Sequence, residues 1–209
     1  MSYFKGIGMS TELNVLVIFA HPALHKSRLN KHLIKIYSEM ASVEFRDLYE
    51  LYPRFFIDVE VEQKYLLESD LIIFHHPFYW YSSPPILKHW LDLVLLDGFA
   101  YGQNGSSLAG KHLLSVLTTG GSRQSYSESG ENRYEMGTLL RPFEQTAHLC
   151  KMNYLPPYVI HGANRILESE QVESEKRKLL ETLQKIQKKS MDDTWPKSLD
   201  YNYLQDALT

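Results

Sequence analysis

Residues 74–94, FHHPFYWYSSPPILKHWLDLV, place His76, Phe78, Tyr79, Trp80 and Tyr81 where an apolar run ends. A plain surface has no need of such bulk, and the flat faces suit a ring-shaped, partly apolar ligand. Packing of the following helix, or contact with another subunit, would use the same side chains. Residues 21–30, HPALHKSRLN, offer different chemistry. A loop feeding a helix N-terminus presents free backbone N–H groups and a partial positive charge, which suits a phosphate. Ser27 fits as N-cap and phosphate donor, and His21 and Arg28 can add donors. Taken singly, this loop reads equally well as a polar approach to a capped helix. Residues 118–126, TTGGSRQSY, form the third stretch. Gly120 and Gly121 let the backbone approach a ligand closely. The hydroxyls of Thr118 and Thr119 can hydrogen-bond polar ring edges.

Together these stretches describe a phosphate pocket at one end and a flat aromatic slot at the other, the shape of flavin mononucleotide. The stretch 21–30 has no G-x-G-x-x-G and no P-loop lysine, so the usual dinucleotide and nucleoside-triphosphate signatures are missing there. Adjacent His75 and His76 on a strand point to opposite faces and cannot hold one ion together. His21 and His25 have ligand spacing but no evident third ligand, so no metal is expected. The lone Cys150 can form no intrachain disulfide and reads as a buried structural thiol. No carboxylate pair and no nucleophile–base arrangement stands out.

The elements that must position these stretches follow from an alternation along the 209 residues. Apolar strands are expected at 14–20, 43–49, 70–77, 111–121 and 154–162. Helices are expected at 27–40, 59–69, 84–95, 137–152 and 168–189, the third with proline in its first turn. Such a pattern predicts an α/β fold: a doubly wound, five-stranded parallel sheet with helices on both faces. In such sheets ligands sit at the C-terminal ends of the strands, which is where the three stretches fall. Residues 1–190 are expected to form one domain. Residues 191–209 break the alternation and form an aromatic-bearing tail, packed on the body or on a neighbouring subunit. The run ESEQVESEKRK reads as a solvated helix face.

Composition narrows the function. A net charge of −3 recommends neither nucleic acid nor an anionic membrane as partner. An apolar fraction of 44% and a charged fraction of 22% are those of a folded globular protein, whereas 12% aromatic residues, with 14 Tyr, is high. The first dozen residues lack a basic segment followed by an apolar run, and no window reaches the length needed to span a bilayer. A cytoplasmic location is the expectation.

At FAHPALHKSRLNK, LYELYP, DLIIFHHPFYWYSSPPILKHWLD, GFAYG, LAGKHLL, TTGG, RPFEQTAHLCKMNYLPP and HG, the chain resembles a known family. It is similar to the flavodoxin-like NAD(P)H:quinone oxidoreductases, most closely the ancillary flavoproteins of glutathione-regulated potassium-efflux systems, over residues 14–188. The resemblance implies flavin-phosphate contacts at His21, Ser27, Arg28, Leu29 and Asn30. It implies one ring-binding segment at Phe78, Tyr79, Trp80 and Tyr81 and a second at Thr118, Thr119, Gly120 and Gly121. Tyr126 matches a tyrosine that touches the flavin edge. The family's histidine six residues further is Asn132 here, which cannot protonate, so this chain departs from the pattern at that point.

The resemblance further implies FMN, with FAD as the alternative, and NAD(P)H as co-substrate delivering hydride that passes on to a quinone. It implies a homodimer whose subunits roof each other's sites, with Trp90 and its neighbours near the contact. It also implies a second role, as regulatory ancillary subunit of a membrane potassium-efflux transporter, which would place the protein at the inner face of the cell membrane. A flavodoxin-type electron carrier is a third reading. Such carriers are usually far more acidic and need no aromatic vestibule.

Overall fold

The computed structural model describes residues 12–166, 168–189, 191, 194–198 and 202–208. The reading of residues 1–11, the expected domain limit at residue 190 and parts of the tail lie outside them. Strand β1 (Val15–Phe19) is buried along its whole length, as are β3 (Leu71–Pro77) and β4 (His112–Thr118). Continuous apolar runs of this kind form strands covered on both faces. β2 (Val43–Asp47) is half-buried and pairs with the other side of β1. The fifth strand position is split into β5 (Asn153–Tyr154) and β6 (Tyr158–Ile160), both paired with β4. Pro156 and Pro157 lie between them and have no N–H to give a ladder. All pairings are parallel, in the order β2-β1-β3-β4-β5, with β6 continuing along β4. The expected doubly wound parallel sheet is therefore present, its fifth strand in two pieces.

Alternation hidden inside the apolar runs decides which face each residue serves. Leu16, Ile18, Ile72, Phe74, Leu113 and Leu117 join one core cluster, and Val15, Val17, Phe19, Leu71, Ile73 and Leu114 join the other. Helices α3 (Val59–Glu68), α4 (Pro85–Val94) and α6 (Arg141–Leu149) cover the first face. α1 (Asn30–Leu33) and the long α7 (Ser169–Gln187) cover the second. Helices lie on both faces, as the alternation requires. Among the described residues no helix is long and apolar enough to cross a membrane.

Several boundaries differ from the sequence reading for identifiable reasons. The second strand stops at Asp47 instead of running to residue 49. The Asp47 carboxylate accepts the N–H groups of Tyr49 and Glu50 and starts the short helix α2 (Leu48–Leu51). The helix expected at 27–40 is one α-turn continued by 3-10 turns at Ile34–Glu39. The helix expected at 137–152 divides into α5 (Met136–Leu139) and α6, with Pro142 in the first turn of α6, where a missing N–H costs nothing.

A buried ionic network fixes α4, the helix that follows the aromatic loop. Glu62 on α3 is wholly buried and accepts from Arg46 Nε (2.8 Å), the Tyr52 hydroxyl (2.6 Å) and Trp90 Nε1 (2.9 Å). Arg46 Nη2 reaches the same carboxylate at 2.6 Å, and the guanidinium lies 4.3 Å over the Tyr65 ring. Trp90 is therefore spent inside its own subunit and offers nothing to a dimer contact. Removing one partner of such a network strands the others in a dry interior. Glu62→Ala is expected to lower unfolding free energy by about 3–5 kcal/mol, read as a fall in the urea midpoint with little change in slope.

Candidate functional site

Because the sheet order reverses between β1 and β3, the loops leaving these two strands diverge and open a crevice. The floor of that crevice is tied by polar side chains. Asn30, 3% exposed, donates from Nδ2 to Thr118 Oγ1 (3.0 Å) at the end of β4. Its Oδ1 lies 3.3 Å from His75 Nε2 on β3. The other ring nitrogen of His75 lies 2.8 Å from the Tyr37 hydroxyl. Of the two neutral tautomers, the one with its proton on Nε2 serves both contacts, donating to Asn30 and accepting from Tyr37. Burial lowers the His75 pKa to about 3, which keeps that form.

Above this floor is a cleft of about 720 Å³. Of the residues expected from sequence, His21, Ser27, Arg28, Leu29, Asn30, Phe78, Tyr79, Thr118, Thr119 and Gly120 line it. Segments separated by about a hundred positions therefore meet, although several side chains are not used as expected. Leu29 is buried in the core, so only its backbone faces a ligand. Asn30 commits one amide hydrogen and its Oδ1 to the floor, and its N–H is capped by Ser27 Oγ at 3.0 Å. Thr119 Oγ1 donates to Gly121 O (2.9 Å), and Thr118 Oγ1 accepts from Asn30 Nδ2 (3.0 Å) and donates to Asn30 Oδ1 (3.5 Å), so neither hydroxyl is free for a ring edge.

Main-chain donors stand in their place. Among the described residues, the N–H groups of Arg28, Leu29, Trp80, Tyr81, Gly120 and Gly121 make no hydrogen bond within the chain. Every one belongs to the three loops singled out above. His21 adds a side-chain donor. Its Nδ1 accepts from Ala23 N–H (3.2 Å), so the neutral ring carries its proton on Nε2, and burial lowers its pKa to favour that form. Ser27 Oγ, accepting from Asn30, keeps its own hydrogen to donate.

Trp80, Tyr81, Gly121 and Tyr126 do not line the cleft. Trp80 and Tyr81 both have positive φ, 49° and 61°. Tyr79 and Ser82 exchange two hydrogen bonds around them (3.1 and 3.0 Å), which makes a tight two-residue hairpin. Glycine or asparagine is the usual occupant of such positions, and a bulky residue there is strained by about 1–2 kcal/mol. The hairpin turns the Trp80 ring out to 93% exposure, whereas Tyr79 stays at the cleft edge with its ring 6.3 Å from His21. Tyr81 donates from its hydroxyl to Asn132 Oδ1 (3.1 Å), which links the second loop to the third. A Cβ on Gly121 would sit 3.1 Å from the Tyr126 ring, so this glycine makes room for Tyr126. Tyr126 is 9% exposed and packs on Phe78 (6.2 Å) and His161 (5.5 Å). Burial raises its phenol pKa, partly offset by a hydrogen bond with the Thr119 side chain, so it is a neutral O–H.

The three-loop reading missed a fourth contributor. Ala163 and Asn164, after β6, line the cleft, and a Cβ on Gly120 would meet Asn164 Nδ2 at 3.1 Å. His161, beside them, sits with Nδ1 3.2 Å from Thr119 Oγ1. Applying the strand-end rule to the fifth strand as well would have found them, since HG closes that run. Lys26 also lines the cleft and was passed over.

His75 and His76 do face opposite sides of the sheet, toward Tyr37 and Phe143 respectively. Both are fully buried, and desolvation lowers their pKa to about 3 and about 4. A histidine whose folded pKa is depressed below 6.5 contributes no pH dependence above pH 7. As pH falls through 6.5, the unfolded chain takes up protons that the folded chain refuses, and stability drops. Between pH 7 and 5 these two should cost about 4 kcal/mol together, with about two protons taken up on unfolding near pH 5. Urea melts across that range measure it, and a flat profile contradicts it.

A family model described as Flavodoxin-like fold (Flavodoxin_2) matches residues 13–183. The glutathione-regulated potassium-efflux system ancillary protein KefG of Pectobacterium atrosepticum is 46% identical over 158 residues, covering 76% of this chain and 86% of that protein. Among solved structures, general stress protein 14 of Treponema denticola, in complex with FMN, superposes with a TM-score of 0.78 at 34% identity. That match covers 83% of this chain and 99% of the other. An NADPH-quinone reductase from P. pentosaceus gives a TM-score of 0.72 at 32% identity, covering 83% and 97%.

Proposed function

The chain belongs to the flavodoxin-like fold family Flavodoxin_2, and from that premise we propose that it is an FMN-dependent NAD(P)H:quinone oxidoreductase. One observation carries this reading: the three loops that border or flank a single cleft hold at least six backbone N–H groups without an intrachain partner. A site rich in main-chain donors, with a histidine and a serine hydroxyl at one end, fits an anionic tail and a planar ring with polar edges. The FMN complex of the Treponema denticola structure supports FMN over FAD.

Arg28 and Leu29 N–H, Ser27 Oγ and His21 Nε2 would hold the phosphate. Phe78, Tyr79 and Gly120 border the remainder of the cleft and would hold the ring, with Trp80, Tyr81 and Gly121 N–H groups beside its edges. Bound FMN supplies the two-electron chemistry that NAD(P)H and a quinone need. The chain's part is to orient and to stabilise charge: fixed N–H donors favour negative charge on a reduced ring and need no rearrangement. We assign Tyr126 the role of neutral donor at the edge of the site, kept protonated by burial. The exposed Trp80 ring beside the cleft is the surface we assign to a second subunit.

The KefG similarity supports a further reading, in which the same flavoprotein regulates a potassium-efflux transporter from the cytoplasmic side of the membrane. Potassium efflux from cells carrying His21→Ala protein separates the roles. Loss of efflux activation along with flavin means the regulation works through the flavin.

The purified protein should be yellow, release FMN on denaturation and oxidise NAD(P)H with menadione. Ser27→Ala removes a phosphate donor and the Asn30 cap, so its Kd for FMN should rise about tenfold, or roughly 1.4 kcal/mol. A colourless protein that fluorescence titration shows unable to take up FMN defeats the proposal.

A further inference from the structure

We propose that the C-terminal segment, residues 202–208, is a positioning strap that holds the loop carrying Gly120, Gly121 and Tyr126 against the cleft. This segment lies beyond residue 183, where the family match ends. It includes the short helix α8 (Leu204–Ala207) and runs along the sheet edge at β6. Leu204 N–H donates to Pro157 O (2.9 Å) and Gln205 Nε2 to Val159 O (2.8 Å). Tyr203 and Leu204 enter the core clusters on opposite faces of the sheet, so the segment wraps that edge.

Protection of an edge strand would need no more than this. Further contacts of the segment reach the loop, directly or through His161. Tyr203, 5% exposed, meets the His161 ring edge-on at 5.3 Å. His161 in turn touches Thr119 Oγ1 through Nδ1 (3.2 Å) and the Tyr126 ring at 5.5 Å. Arg123, in the middle of the loop, lies 4.4 Å over the Tyr203 ring and pairs through both terminal nitrogens with the Asp206 carboxylate. A guanidinium held on an aromatic face and by a two-pronged carboxylate loses much of its freedom. The loop is therefore gripped at Thr119 and Tyr126 through His161, and at Arg123 directly. Tyr203, Arg123 and Asp206 are positioning residues for Tyr126.

The kinetic half of the test rests on the quinone-reductase reading, and the structural half does not. In the full-length, FMN-loaded protein, Arg123→Gln and Tyr203→Leu should each raise the KM for menadione about fivefold with kcat changed less than twofold. Amide exchange at Ser125 and Tyr126, whose N–H groups bond within the loop, should quicken at least tenfold, with residues 15–19 and 71–77 unaffected. Tyr203→Phe, which keeps the ring, should restore both readings. Arg123 is largely solvent-facing, so its variant folds even if the Tyr203→Leu core change does not. Unchanged exchange at Ser125 and Tyr126 in Arg123→Gln overturns the strap, whatever the activity. Faster exchange there, in a protein whose wild type reduces no quinone, supports the strap and overturns the proposed activity instead.

Discussion

The arrangement depends on one buried side chain. Asn30 opens the first helix, yet its amide reaches across the floor of the crevice to the ends of two neighbouring strands, Thr118 on β4 and His75 on β3. In a dry interior these hydrogen bonds are strong, and leaving either partner unmet is costly. They fix where the first helix starts relative to the strand ends, and hence where the N–H groups of Arg28 and Leu29 sit relative to the Gly120–Gly121 backbone. Tyr37 and a neutral His75 extend the same network into the second face of the sheet. A crevice is built into any sheet of this strand order. This polar floor gives it a particular width and a particular set of donors.

A second network, around Glu62, does for the aromatic loop what Asn30 does for the floor. It locks α4 through the Trp90 indole, and α4 begins three residues after Ser82 closes the hairpin. With that end anchored and β3 holding the other, the chain between them has little length in which to turn. The left-handed conformations at Trp80 and Tyr81 are the local consequence, and they cost energy that two rigid anchors can impose. The strain leaves two N–H groups facing away from their own turn, which is what a ligand-binding loop requires.

Much of this was legible in the sequence because it follows from periodicity. Continuous β-branched runs gave the strands, their spacing gave the parallel sheet, and the strand-end rule led to loops that do meet. Adjacent His75 and His76 had to diverge, and they do. What escaped depended on side chains acting on the backbone at short range. Asp47 turning a strand into a helix, Pro156 and Pro157 cutting the last strand, and the outward turn of Trp80 each depend on one local bond or one φ angle. The hydroxyls of Thr118 and Thr119 looked like ligand donors because nothing in the sequence shows that Asn30 and Gly121 already occupy them. The contacts of Tyr203 and Asp206 with the loop join positions about eighty residues apart, and no periodicity reports them.

The central claim is that a ligand-binding geometry is set by a buried side chain whose own hydrogen bonds are made inside the protein. The affinity of Asn30→Ala for FMN, measured by isothermal titration beside a circular-dichroism check that the sheet is intact, tests it most directly. The account predicts a folded protein whose Kd is at least tenfold weaker, a loss of about 1.4 kcal/mol. A folded Asn30→Ala protein that binds FMN as tightly as the parent would show that the polar floor does not set the site.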